Sequence, residues 1–402
     1  MLICVLTGFS SGLPLYILIQ LLPGWLKDEG VDIKTIGLFA WATTPYTWKF
    51  IWSPLLDRYV PPFLGRRRGW ALVTQVLLLG SIAALSPLDP KGSVWTIAYV
   101  ALAISFFSAS QDIVLDAYRR ELLPDDELGL GNSYFVNAYR VAGFVPGGLA
   151  FILADHLPWS MVHLVVAAFM VVGIVATLLI PEPDVEAPPP RTLTEAIVEP
   201  LNEFFTRRGG RWAFETLAFL FLYKLGDNMA VALSTPFYLD LGFSKTVVGT
   251  TAKLVGFWAA IVGGFLGGGV MLKIGINRAL WLFGCVQIIS ILGFAALSVV
   301  GADQRMLAAA VGFEYLGVGL GTAAFVAFMA RTTNKRFTAT QFALFSSFIG
   351  VPRTLASSLT GYIVEAVGWT TFFLICTALA VPGMLMLFRV APWNEDRPGA
   401  LT

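Results

Sequence analysis

Charge is scarce in this 402-residue chain: 27 Lys and Arg with 26 Asp and Glu make up 13% of it, histidine occurs twice and cysteine three times. A soluble domain carries about a quarter charged residues, so a chain this poor in them with a mean hydropathy of +0.73 is not one. The net charge of +1 says little about partners, because the sidedness of the charges matters and their sum does not; the basic loops are expected to meet anionic lipid headgroups, and no nucleic-acid partner is expected. Cys4, Cys285 and Cys376 stand alone in apolar runs, which excludes a disulfide framework and a cysteine-based metal site. No cofactor or metal is expected, and His156 and His163, in or near an outer loop, receive no role.

What is abundant is apolar sequence, 56% of the residues. A helix needs about 20 apolar residues to cross the hydrocarbon core. The text between charged or Pro/Gly-rich breaks supplies twelve such stretches, near 2–24, 35–56, 69–87, 93–117, 130–154, 158–181, 212–239, 246–271, 278–300, 304–330, 338–364 and 368–390. The fold expected is therefore an all-α integral membrane protein. With the amino terminus in the cytoplasm, seventeen of the 27 basic residues fall in inner loops and the tail and five in outer loops, including Lys27, Lys91 and Arg305. That excess is what the positive-inside rule requires, and it places both termini in the cytoplasm. The first apolar run is too long for a cleavable signal and has no basic start, so it reads as a span. So short a leading tail leads us to expect the natural start upstream of Met1.

One hydrophilic stretch, residues 182–211, separates six spans (1–181) from six (212–402). Within it Leu193, Ile197, Leu201 and Phe204 recur at helical spacing, the mark of a short amphipathic helix on the membrane face, although a plain tether fits as well. The halves echo each other. IKTIG at 33–37 returns as KTVVG at 245–249, Trp159 returns as Trp369, and Arg140 as Arg353, at offsets of 210 to 213 residues. A parallel repeat of six helices, with two pseudo-symmetric bundles and a substrate site at mid-membrane, is the plan of major facilitator transporters.

The functional clue is charge inside the spans: Lys49, Arg140, Lys224, Lys253 and Arg353 against Asp112, Asp116, Glu215, Asp227 and Glu314. Each costs roughly 2.5 to 3.5 kcal/mol at mid-helix, so most must point into protein or a watery cavity. In SASQDIVLDAYRREL, Asp112 and Asp116 share a face with Gln111 beside the first; a buried carboxyl with a carboxylate neighbour is suited to carrying a proton. Alternatively Asp116 pairs with Arg119 or Arg120. In LYKLGDNMA, Lys224 and Asp227 either neutralise each other or exchange partners when an anionic ligand arrives. Glu314 shares a stripe with Gly317, Gly321 and Ala324, a small-residue face for close packing beside a buried acid. Lys49 stands among Tyr46, Trp48 and Trp52, an aromatic setting for sugars and anions that the interfacial aromatic belt would also produce. Arg140 with Tyr139, and Arg353, could clamp two ends of one substrate or serve as buried ion pairs. Finally, SPLLDRYVPPFLGRRRGW places Asp57, Arg58 and Arg66 where a charged latch between helix ends is expected.

FSSGLPLYI, IKTIGLFA, SASQDIVLDAYRREL, LYKLGD, FEYLGVGLGTAAFVAF and NKRFTATQFAL together closely resemble the bacterial AmpG muropeptide permeases of the major facilitator superfamily, along nearly the whole chain. The loop at 57–68 departs from the superfamily pattern, since YVPPFL separates the acidic-basic pair from Gly65 where one residue is usual. The text ILIQLLPGWL in the first span also departs, so Gln20 and Trp25 receive no substrate role. The resemblance implies proton-driven import of anhydro-muropeptides from periplasm to cytoplasm across the bacterial inner membrane, for peptidoglycan recycling, with a bearing on beta-lactamase induction. It also implies that the fourth-helix carboxylate needed for transport is Asp112.

The expectation is a monomeric symporter working by alternating access in the lipid bilayer. Asp112, Asp227 and Glu314 are its proton-coupling residues; Lys224, Arg140, Arg353, Lys49, Tyr46, Trp48, Tyr139 and Gln111 bind substrate. The alternatives are a carrier of acetyl-coenzyme A or small peptides, and a membrane transferase using Asp125, Asp126 and Glu127, whose spacing reads better as a solvated helix start.

Overall fold

The computed structural model describes residues 1–184, 190 and 192–394, with the side chains of 33, 34, 40, 245, 253 and 351–359 outside the description. Every regular element among the described residues is helical. They are α1 (Leu2–Asp28), α2 (33–58), α3 (Arg66–Ala83), α4 (Pro90–Leu122), α5 (Leu128–Ala154), α6 (Trp159–Leu179), α7 (Leu193–Arg207) and α8 (Gly210–Asp240). The stretch Val248–Val300 turns at Gly275 (φ 81°) into α9 and α10; α11 is Gln304–Thr332; and Thr338–Val390 turns at Gly368 (φ 74°) into α12 and α13. A left-handed φ is open to glycine without strain, which is why the chain reverses at those residues. Leaving α7 aside, twelve helices match the twelve apolar stretches.

Two compact units form. The first joins Met1–Pro124, Tyr134–Leu201 and Thr333–Ser347; the second joins Asp125–Ser133, Asn202–Thr332 and Phe348–Thr402. Each unit therefore includes a short segment from the other half of the sequence. The first has a core of Leu13, Leu21, Trp25, Leu78, Ile104 and Met170, the second one of Phe237, Phe294, Leu307, Phe372 and Phe373. Large apolar side chains such as Leu179 and Val299 remain exposed at 80% and 75%, as a surface meant for lipid requires.

Local sequence breaks the helices where charge lies. In α2, Pro45 and Pro54 each sit at the first turn of a new helical piece, because a residue without an N–H can start a helix but not continue one. Lys49 falls in the 3₁₀ turn Lys49–Ile51 between them. In α8 the helical dihedrals lapse at Lys224 (φ −104°, ψ 2°) and again at Leu233. Broken helices at membrane depth are tolerated where protein re-satisfies the freed backbone groups.

A helix forms over Leu193–Arg207, with Phe204 buried and Leu193, Ile197, Val198 and Leu201 exposed. Its first part docks on the first unit. Glu195 and Glu199 lie 3.4 and 3.3 Å from Arg336, and Gln341 donates to the Pro200 carbonyl at 2.9 Å.

Candidate functional site

In the first unit, α1, α2 and α4 converge on Asp112. The Ser11 hydroxyl donates to its Oδ1 and the Lys49 ammonium lies 3.5 Å from Oδ2, with Lys49 only 4% exposed. One turn of α4 away, Ser108 accepts from the Tyr46 hydroxyl at 2.5 Å, and Ser110 accepts from Trp52 Nε1 at 2.9 Å. Gln111 donates to the Ser10 carbonyl at 2.8 Å, so the FSSG segment of α1 meets QD of α4 at two successive residues. The close approach of α1 to α5 depends on Gly8 and Gly12, where a Cβ would collide with the Phe135 and Tyr139 carbonyls. Tyr139 stands 6.0 Å from Tyr16, ring to ring, and Arg140 follows it, half-buried. Trp48 is 53% exposed beside Phe50. Asp116 is apart from this group, paired with Arg119 at 2.7 Å.

The second unit gathers Lys224, Asp227 and Glu314. Lys224 Nζ lies 3.0 Å from Asp227 Oδ2, both residues being 6% exposed. Glu314 is fully buried and accepts from Ser290 at 2.6 Å. The glycine stripe of α11 makes room for polar side chains of α10: a Cβ at Gly317 would press on Ser290 Oγ, and one at Gly321 would overlap the Gln287 amide. Gly226 admits the Cys376 carbonyl of α13 against α8. The Arg353 side chain lies outside the described residues.

A third cluster occupies helix ends. Arg67 is 1% exposed and bridges two acids, with Nη2 2.8 Å from Asp57 Oδ1 and 2.5 Å from Glu121 Oε1. Asp57 uses its other oxygen on Thr340, at the start of α12, accepting from the backbone N–H at 2.8 Å and the hydroxyl at 2.7 Å. Arg66 reaches Glu121 at 3.5 Å, while Arg58 lies over the Tyr59 ring. The sequence points to Asp57, Arg58 and Arg66 as the latch, and Arg67 and Glu121 are not among the residues it singles out. The one signal available was the acid at the end of YRREL, which reads from sequence as a solvated helix terminus. Asp125, Asp126 and Glu127 are exposed ahead of α5, with no other acid, histidine or cysteine grouped with them among the described residues.

Comparison with known proteins places this architecture. The profile of the Major Facilitator Superfamily matches residues 4–313. The anhydromuropeptide permease of Escherichia coli K12 is 45% identical over 387 residues, 96% of this chain and 78% of that protein. The chain belongs to the AmpG family of the major facilitator superfamily. An uncharacterized protein of Haemophilus influenzae is 50% identical over 98% of this chain and 95% of its own length, and a putative AmpG transporter of Rickettsia felis is 30% identical over 94% of each. Among solved structures, the human organic anion transporter TETRAN superposes with a TM-score of 0.72 over 96% of this chain and 98% of its own at 14% identity. The proton:xylose symporter XylE gives 0.71 over 97% and 95% at 13%. At those identities the structures speak for the fold alone. The protein is thus a multi-pass membrane transporter of a family of permeases, which answers the transferase alternative.

Proposed function

We propose that this protein imports anhydro-muropeptides into the cytoplasm through the bacterial inner membrane, in symport with protons and by alternating access, for peptidoglycan recycling. The observation that carries the substrate is the 45% identity, over 96% of the chain, to a protein named an anhydromuropeptide permease. Chemistry agrees with it. Such a ligand offers sugar faces, acetamides and peptide carboxylates. Tyr46, Trp48 and Tyr139 are suited to the sugar faces, Gln111 to an acetamide, and Lys49, Lys224, Arg140 and Arg353 to the carboxylates. Lys49 and Lys224 each already hold a carboxylate, so an arriving ligand carboxylate competes with Asp112 or Asp227 for its cation. That competition is the proposed coupling: an acid released from its ammonium in an apolar interior takes up a proton.

The Asp57, Arg67, Glu121 and Thr340 cluster is proposed as the conformational latch, to be broken and remade in each cycle. Both termini are proposed to be cytoplasmic, and residues 1–181 and 212–402 to be the moving bodies joined by 182–211.

The test is uptake of labelled anhydro-muropeptide into proteoliposomes with and without an inward proton gradient, for the wild type and Asp112→Asn. The expected result is accumulation that needs the gradient, is lost in the variant, and yields unaltered substrate. No saturable uptake of labelled muropeptide, with labelled acetyl-coenzyme A or a short peptide taken up instead, would replace the substrate; full accumulation by Asp112→Asn would remove Asp112 from coupling.

A further inference from the structure

The two units differ in how completely their buried acids are satisfied. Asp112 has a donor on each oxygen, Ser11 on Oδ1 and Lys49 on Oδ2, as an ionised carboxylate needs. In the second unit Ser290 serves Glu314 Oε2 and Lys224 serves Asp227 Oδ2, but Glu314 Oε1 and Asp227 Oδ1 are buried with no donor among the described residues. Those two carboxyls are neighbours that act on each other electrostatically. Two neighbouring carboxyls held out of water repel unless one carries a hydrogen, and a buried acceptor without a donor costs about 1 to 3 kcal/mol.

Charge counting leads to the same place. Among the described residues the two acids face one ammonium, Lys224, and it is engaged by Asp227. The other titratable side chains that act on the pair are Tyr223, Tyr238, Tyr315 and the Cys376 thiol, all neutral types at pH 7. Taken as a trio, Lys224, Asp227 and Glu314 with both acids ionised carry one net negative charge; one added proton makes the trio neutral. In the first unit Lys49 and Asp112 are neutral together already.

We infer that Asp227 and Glu314 form an acid pair holding one proton between Oδ1 and Oε1, and that this pair, in place of Asp112, is the proton-loaded site of the resting protein. This deepens the proposed function and rests on its reading of the carrier as proton-driven. Asp227 and Gln287 also line a cavity of about 10 Å³, roughly one water in size, through which the shared proton can exchange. In a cycle, an anionic ligand drawing Lys224 away leaves Asp227 without its counter-charge and tightens the pair's hold on the proton. Ligand release returns Lys224 to Asp227 and frees the proton to leave.

The test is infrared difference spectroscopy of the purified full-length protein across neutral pH, read at the C=O stretch of a protonated carboxyl. The wild type should show an acid band at pH 7 that persists in Asp112→Asn and disappears in Glu314→Gln. Asp227→Asn is the second variant, in case the first does not fold. It too should lose the band, because Glu314, freed of its like-charged neighbour and left with Lys224, ionises. Absence of the band from the wild type, its survival in both variants, or its loss in Asp112→Asn would overturn the inference. The measurement needs no muropeptide, so a wild type that shows the band but moves no muropeptide would refute the substrate reading and leave this one standing.

Discussion

Asp57 accepts two hydrogen bonds from Thr340, 283 residues further along the chain, while its other oxygen holds Arg67 at 2.8 Å. The acid thus caps the first turn of α12 and neutralises a guanidinium buried in its own unit, and the two duties are worth different amounts. Thr340→Ala deletes the hydroxyl bond to a charged acid but keeps the backbone N–H, so about 1.5 to 3 kcal/mol is the expected loss. Arg67→Ala strips Asp57 of its cation and leaves Glu121 with Arg66 at 3.5 Å, both acids being under a tenth exposed, and removing one partner of a buried pair costs about 3 to 5 kcal/mol. Arg58→Ala, beside Tyr59 only, should change stability by under about 0.5 kcal/mol. Thermal unfolding of the three variants in detergent checks the ranking; equal losses for Arg58→Ala and Arg67→Ala would contradict it.

How far that arrangement could be read from sequence depends on chain distance. Lys224 and Asp227 are three apart on one helix, so their pairing is written in the text. Lys49 and Asp112 are 63 residues apart, and Arg67 and Glu121 are 54 apart. Nothing local tells either residue which opposite charge the packing will deliver. Twelve helices and their turns follow from apolar run length and from breaks, because hydrocarbon allows few other backbones. Which of Arg66 and Arg67 points inward is set by the phase of α3, whose start, at Gly65 with φ 83°, no period in the sequence marks.

The repeat offers a second prediction. Trp159 Nε1 donates to Asp28 at 2.8 Å and Trp369 Nε1 to Asp240 at 3.2 Å, tying the end of α1 to α6 and the end of α8 to α13. Echoed tryptophans 210 residues apart therefore do the same work in each unit. Phenylalanine at either position keeps the ring packing and removes the donor. Each should lower stability by a similar amount, about 1.5 kcal/mol at most for a hydrogen bond to an exposed carboxylate. Matched unfolding shifts for Trp159→Phe and Trp369→Phe are expected; a large loss in one alone would break the equivalence.

The Lys49 and Asp112 pair predicts a particular sign of coupling. Lys49→Met leaves Asp112 with Ser11 as its one remaining donor among the described residues, and Asp112→Leu leaves an ammonium with no counter-charge from that acid. Each single change should destabilise by about 3 to 5 kcal/mol, whereas the double variant replaces a buried ion pair by apolar groups of similar size, often at little cost. A double-mutant cycle on thermal unfolding should find the double variant more stable than either single one. Additive losses would mean that the two groups do not depend on each other.

The last prediction concerns glycine, of which the chain has 39. Some have room for a methyl group and others do not, and at helical positions the difference lies in the neighbour across the interface. A Cβ at Gly263 in α9 would collide with the Leu316 carbonyl of α11, and one at Gly319 in α11 with the Ala260 carbonyl of α9. Backbone cannot rotate aside as a side-chain tip can, so either alanine must push the helices apart. The cost expected for such overpacking is about 1 to 3 kcal/mol. Gly269, on the same helix as Gly263, has open space at its Cβ position. Alanine there should be neutral or stabilising, since it lowers the helix-propensity penalty by up to about 1 kcal/mol. Because α11 also carries Glu314, spreading α9 from α11 should impair transport as well as stability. Gly263→Ala and Gly319→Ala are therefore expected to lose uptake together with thermal stability while Gly269→Ala keeps both. Unfolding curves and uptake on the same preparations decide it, and a Gly263→Ala protein as stable and active as Gly269→Ala would show that the contact between α9 and α11 is looser than these carbonyls require.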